Sequence, residues 1–308
     1  MRGAPRLALA LALALGLASS PAAARPVQGI LLLAHGGDPA WNAQVEALRA
    51  EIAASVPAAL ALGMADPATL QRGIDALEAK GAGLIVAVPL FVDSRSEVMD
   101  QMRYALGLSD KPSEVMRRAA ERMKGMPMPP GMPMMNLFSL KRTVHRVRIV
   151  LAPALDADPF VSRVLLERAR ALSREPSRET VVLVAHGPVD DAAVPHWLHD
   201  LRAHAAYIAK TGGFRAARVA LLRDDAAPPV RARSVAGMRA EVAAAAKDGG
   251  RALVVPVLIA RGGIEDKIPR DLKGLAFAWS GEALLPHAGF DRWALARARA
   301  AGSALPQQ

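Results

Sequence analysis

Short, unbroken apolar runs alternate with longer stretches of helical spacing along most of this chain. Ile30–Ala34 is continuous apolar sequence, as a strand covered on both faces requires. Trp41–Val56 follows, with Val45, Leu48, Ile52 and Val56 at helical intervals. Ala59–Met64 predicts a short second strand. In "DPATLQRGIDALEAKG" a start signal at Asp66-Pro67, apolar Leu70, Ile74 and Leu77, and a stop at Gly81 predict a helix. "GLIVAVPLFV" and "RVRIVLAPAL" read as further buried strands, and Asp158–Leu172 as a helix.

The second half writes the same order again. Val181–Ala185 predicts a strand, Val194–Thr211 a helix, Ala217–Leu222 a strand and Pro228–Lys247 a helix. "RALVVPVLIA" matches "GLIVAVPLFV" down to the internal proline, Pro256 against Pro89. "LAFAWSGEALLPHAGF" supplies the last strand, and Phe290–Ala301 a closing helix. Strands and helices alternating in this way predict parallel sheets with helices on both faces. The expected fold is α/β, with two tandem flavodoxin- or Rossmann-like domains. The polar stretch Ser173–Glu179 places the division between 25–175 and 176–308.

Two segments stand outside this pattern. Residues 1–24 carry Arg2 and Arg6, an apolar run from Leu7 to Leu17, and a small-residue exit at Ala22-Ala23-Ala24. That is the form of a secretory signal peptide, and its apolar run is short for a membrane span. The expected product begins at Arg25 and is periplasmic or secreted, with no stable membrane insertion. Residues 123–135 hold six of the twelve methionines among prolines and glycines, which forbid a helix there. The segment reads as an insertion that packs over an apolar patch or offers thioethers to a soft ion.

Composition narrows the chemistry. The chain has 308 residues, enough for two domains, and 52% of them are hydrophobic. A net charge of +10 favours anionic ligands, but aromatics are only 4% and no nucleic-acid motif is present, so nucleic acid is not expected. There is no cysteine, so thiolate metal sites and cysteine nucleophiles are excluded. Gly-x-Ser-x-Gly, Gly-x-Gly-x-x-Gly and Walker loops are also missing. That argues against a serine hydrolase and against a bound nucleotide.

What remains is a repeated Ala-His-Gly. "ILLLAHGGDPAWN" and "VVLVAHGPVDD" each end a strand on a histidine, His35 and His186. Parallel sheets bind ligands beyond the carboxyl ends of their strands, where a neutral imidazole can take a transition metal or a proton. His196, His199 and His204 form a second group on a predicted helix, either a metal face or polar surface.

"LLLAHGGDPAWN", "DPATLQRGIDALEAKG" and "VPLFV", in that order, resemble the sirohydrochlorin chelatase family, the small class II chelatases. The resemblance spans nearly the whole mature chain as two tandem copies. It implies a pair of α/β units facing each other across a cleft, and ATP-independent insertion of Co2+, Fe2+ or Ni2+ into a tetrapyrrole. It also implies that the first-strand histidine, here His35 and His186, is a metal ligand and base. The family carries a second ligand histidine after the "PLFL" strand. Here that place is Glu97 in the first copy and Ile264, beside Glu265, in the second. His35 with Glu97 is then the expected metal site, and His186 with Glu265 the weaker one. Arg95, Arg261 and Lys267 lie in the flanking loops and would orient the substrate's carboxylates. His287 is expected near the cleft. Loss of both second histidines, together with the leader, keeps a second reading open: an exported protein that binds metal or tetrapyrrole without turnover.

Overall fold

The computed structural model describes residues 27–114, 117, 140–247 and 250–304. The segment expected to be a leader, residues 1–24, and the Met-rich segment lie outside the described residues. Two sheets form, each of four parallel strands. The first contains β1 (Gln28–Ala34), β2 (Ala58–Leu62), β3 (Leu84–Pro89) and β4 (Arg148–Leu151), in the order β2-β1-β3-β4. The second contains β5 (Glu179–Ala185), β6 (Ala216–Leu221), β7 (Arg251–Val257) and β8 (Ala278–Trp279), in the order β6-β5-β7-β8. The same order in both sheets is the internal repeat seen in the sequence.

The helices are α1 (Pro39–Ala53), α2 (Pro67–Ala79), α3 (Glu97–Ala105), α4 (Pro159–Leu172), α5 (Val194–Gly212), α6 (Pro228–Ala245), α7 (Ile264–Asp271) and α8 (Phe290–Ser303). Their starts follow local chemistry. Asp38, Asp66 and Asp158 each accept a backbone N–H of the first turn and are followed by proline, a pairing worth about 0.5–2 kcal/mol per cap.

The apolar runs lack a polar alternation because both faces of each sheet are covered. Leu31 and Leu33 point to an outer core with α2 and α3, while Ile30 and Leu32 point inward. That inner core is continuous through the molecule. Ile30, Leu32, Val86 and Val88 share it with Val181, Leu183, Leu253 and Val255 of the other sheet.

The closing helix of each half crosses to the opposite sheet. Helix α8 packs on α1, β3 and β4, and Gln28 Nε2 donates to the Ala298 carbonyl at 2.7 Å. Helix α4 packs on α5 and β7, and Arg168 donates to the carbonyls of Ala283, Leu284 and Pro286. The units that pack together are therefore not the contiguous halves 25–175 and 176–308, because each sheet borrows its neighbour's last helix.

Two segments read from the sequence as loops are helical. Helix α3 starts with Glu97 and Asp100 in its first turn, which favours its N-terminal end, and buries Met99, Met102 and Ala105. Helix α7 carries Lys267 and has an internal proline, Pro269, which hides it from a periodicity reading.

Candidate functional site

The carboxyl ends of both sheets open on one cleft. His35 leaves β1 and His186 leaves β5, and the glycine after each has a positive φ, 81° at Gly36 and 79° at Gly187. Only glycine accepts that geometry without strain, and it turns the chain away so that each imidazole stands at the strand tip. In the first loop the Asn42 amide holds Gly37, accepting from its N–H at 2.9 Å and donating to its carbonyl at 3.0 Å. In the second, buried Arg223 donates to the carbonyls of Pro188 and Val189 and pairs with Asp191.

Both histidines line a cavity of about 320 Å3, together with Trp41, Phe91, Trp197, Asp225, Ile264 and Glu265. His35 stacks on Trp41, with ring centroids 4.8 Å apart and planes 20° from parallel. Trp41 in turn lies against Gly262 of the other domain, where a Cβ would come 2.8 Å from its Cδ1. Crowding in the cleft pushes the His35 imidazole below its ordinary pKa, and a charge on His186 acts in the same direction. His35 Nδ1 contacts the Gly36 carbonyl. With the proton on Nδ1, Nε2 is left as a free electron pair.

His186 differs. Its Nδ1 donates to the Gly187 carbonyl at 2.8 Å, and its Nε2 lies 3.1 Å from Asp225 Oδ2. Two oxygen acceptors face the two ring nitrogens. With Nδ1 turned to a carbonyl, Nε2 and the Asp225 carboxylate lie side by side, where both could hold a cation.

The remaining sequence-derived residues fall elsewhere. Glu97 begins α3 at the cleft rim, exposed and outside the cavity lining. Partial burial raises its pKa, helped by the charges of Asp190 and Asp100. Glu265 lines the cavity and is buried. Its carboxylate is committed to the backbone, accepting from Gly262 N at 3.0 and 3.1 Å and from Gly263 N at 3.1 Å. Arg95 spans the domains instead of facing the cavity, with Nη2 2.6 Å from Asp200 Oδ2 and Nε 3.1 Å from Asp93 Oδ1. Arg261 is exposed, with Nε 3.7 Å from Glu265 Oε1. Lys267 pairs with Asp224 on the loop after β6.

His204 is structural. It is buried, with Nδ1 facing the Ser162 hydroxyl and Nε2 facing the Asp156 carbonyl. His287 is not in the cleft. It pairs with Glu167 in a separate cavity of about 610 Å3 between α4 and α8. Asp225, the cavity residue the sequence reading missed, was within reach of the strand-tip rule, because "LLRDD" ends β6 as "LLLAH" ends β1.

Two facing α/β domains with a strand-tip histidine from each in one cavity define a two-domain cleft protein. The sequence profile of the CbiX family matches residues 29–172. No curated protein matches the sequence. Among solved structures, SirB from Bacillus subtilis with Fe3+ superposes with a TM-score of 0.58 at 18% identity, covering 88% of this chain and 94% of that one. The sirohydrochlorin chelatase SirB from Bacillus subtilis subspecies spizizenii, in complex with cobalt, gives 0.55 at 16% identity, over 90% and 95%. A multi-domain protein from Deinococcus radiodurans with structural similarity to chelatases gives 0.52 at 18% identity, over 92% of this chain and 56% of that one. Residues 29–172 are thus similar in sequence to the CbiX family, and the two domains together have the fold of the SirB structures.

Proposed function

We propose that the cleft takes a divalent transition metal, Co2+, Fe2+ or Ni2+, and a tetrapyrrole, and that the protein is a chelatase of the sirohydrochlorin type. The observation that carries this reading is the meeting of His35 and His186 in one interdomain cavity. Two imidazoles and a carboxylate, Asp225 at 3.1 Å from His186, line the same cavity and are donor types suited to these borderline ions. The Fe3+ and cobalt complexes of SirB, which has the same fold, support a metal as cargo.

In this reading the metal is substrate. Insertion releases two pyrrole protons for each divalent ion that enters the ring, so the site needs proton acceptors as well as ligands. His35, kept neutral by the crowded cleft, presents Nε2 to the ion. His186 faces it from the other domain with Nε2, and Asp225 beside that nitrogen takes a proton. Glu97, whose carboxyl is held closer to neutrality than an ordinary glutamate's, stands at the rim as an exit for protons. The apolar walls, with Trp41, Phe91 and Trp197, suit one face of a planar macrocycle. Exposed Arg261 at the mouth would pair with a substrate carboxylate.

The commitment of Glu265 to backbone amides, with Glu97 at the rim, favours a second reading. With fewer acidic donors in the cavity, the protein would bind metal or tetrapyrrole without turnover. Its site would then serve a periplasmic or secreted carrier, in keeping with the leader expected at residues 1–24. An absorbance assay with sirohydrochlorin and Co2+ separates the two. Insertion faster than the protein-free rate, lost in His35→Ala, supports the chelatase. Binding of either component with no rate enhancement supports the carrier.

A further inference from the structure

Three carboxylates from both domains converge at the base of the cleft. Asp93 follows β3 and Asp156 follows β4, while Asp200 projects from α5, which packs on the other sheet. One oxygen from each lies within 4.8 Å of the others. Asp93 is only 2% exposed, and its Oδ2 is enclosed without a hydrogen-bond partner. Asp156 spends its oxygens on neutral donors, the Ser94 N–H at 2.7 Å and hydroxyl at 2.6 Å.

The surrounding cations do not balance this group. Arg95 pairs with Asp93 and Asp200. Its Nη1 lies 3.2 Å from His196 Nδ1, which faces the guanidinium as an acceptor. His204 is held neutral by burial and spends its own hydrogen bonds on Ser162 and the Asp156 carbonyl. Arg103 is turned to the Ser94 carbonyl and Asp100. His199 acts on Asp200 only from an exposed position. Three carboxylates against one guanidinium leave two negative charges in a largely buried place, an arrangement that costs stability unless a counterion enters.

We propose that Asp93, Asp156 and Asp200 form a binding site for a hard divalent cation of the Ca2+ class, which ties the two domains together beside the cleft. A divalent ion cancels the residual charge. An all-carboxylate set selects oxygen-seeking ions, in contrast to the imidazoles of the cleft. Ca2+–oxygen distances of about 2.3–2.6 Å put opposing ligands up to about 5 Å apart, so three oxygens within 4.8 Å of one another are close enough to share one ion. Asp93 also lines the cleft cavity, so a bound ion would stiffen the floor on which the cleft metal and its ring are handled. This site stands independently of the chelatase reading.

The test is calorimetric titration of the chelator-treated protein with Ca2+ and with Mn2+, paired with thermal unfolding. One site is expected, with a rise in Tm on adding Ca2+. Asp93→Asn, Asp156→Asn and Asp200→Asn, which keep side-chain shape, should each weaken Ca2+ binding at least about tenfold and abolish the rise in Tm. His35→Ala should leave Ca2+ affinity unchanged. The proposal is overturned if the folded parent binds neither ion, if all three Asn variants bind Ca2+ as the parent does, or if His35→Ala removes Ca2+ binding.

Discussion

His35 and His186 end the first strands of two different sheets, yet both line one cavity between the domains. The sequence paired His35 with Glu97 inside one domain; the cavity lining holds His186 with His35, and Glu97 stands outside it. Co2+ titration should therefore find that His35→Ala and His186→Ala each reduce affinity by tenfold or more. Loss of a direct ligand should cost at least as much as loss of a group that only orients one. Glu97→Gln should leave affinity within a few-fold. The reverse result, binding abolished by Glu97→Gln and untouched by His186→Ala, would return the site to the first domain alone.

Trp41 links the His35-bearing loop to the far domain through Gly262. A methyl group at 262 would sit 2.8 Å from the indole and force it aside. Gly262→Ala should destabilise the fold by about 1–3 kcal/mol. It should also disturb tryptophan fluorescence and weaken metal binding at His35. An unchanged Tm with unchanged Co2+ affinity would show that the indole is free to move away without consequence.

The exchange of closing helices makes the domains interdependent. Phe290 and Ala294 on α8 are fully buried in the core shared by both sheets. Phe290→Ala should cost about 3–5 kcal/mol. Hydrogen exchange should show the loss first in α1, β3 and β4, where α8 packs, although those elements lie far away in sequence. Faster exchange confined to residues after 278 would contradict the exchange of helices.

Burial lowers the pKa of His204, while the same residue in the unfolded chain titrates near an ordinary histidine. Below about pH 6.5 the unfolded state binds a proton that the native state resists. Stability should therefore fall as pH drops through that range, reaching its full loss below the depressed native pKa. Because His35 shifts in the same direction, it adds to the slope. Denaturant unfolding from pH 7.5 to 5 should show a shallower decline in His204→Gln than in the parent. An equal slope would assign the loss to other groups.

Much of the architecture was legible locally. Asp38, Asp66 and Asp158 before proline fix where α1, α2 and α4 begin, because cap and ring geometry act within one turn. Unbroken runs such as Ile30–Ala34 and Val181–Ala185 demand cover on both faces, which only parallel strands under helices supply. The repeated Ala-His-Gly places an imidazole at each strand tip, since Gly36 and Gly187 turn the chain there. Helices α3 and α7 escaped because a nine- or eight-residue helix shows barely two turns of periodicity, and Pro269 masks the second.

Other outcomes depended on which surfaces meet, and no short window of sequence carries that information. Glu265 looks like a ligand in the sequence, but in the fold it satisfies the amides of Gly262 and Gly263. Arg95 looks like an anion receptor, but it is drawn to Asp93 and to Asp200 of the other domain. Asp225 and His186 meet because β6 pairs with β5 in register, bringing two loop ends together. The crossing of α4 and α8 decides which helix completes which core. It follows from long-range burial of Val161, Val164, Phe290 and Ala294, whose apolar faces would serve a contiguous domain equally well. The sequence by itself determined the elements, their repeat and the imidazoles at the strand tips. Only the tertiary structure decided their partners, because hydrophobic burial is non-directional and the choice among apolar surfaces is made by the packing of the whole chain.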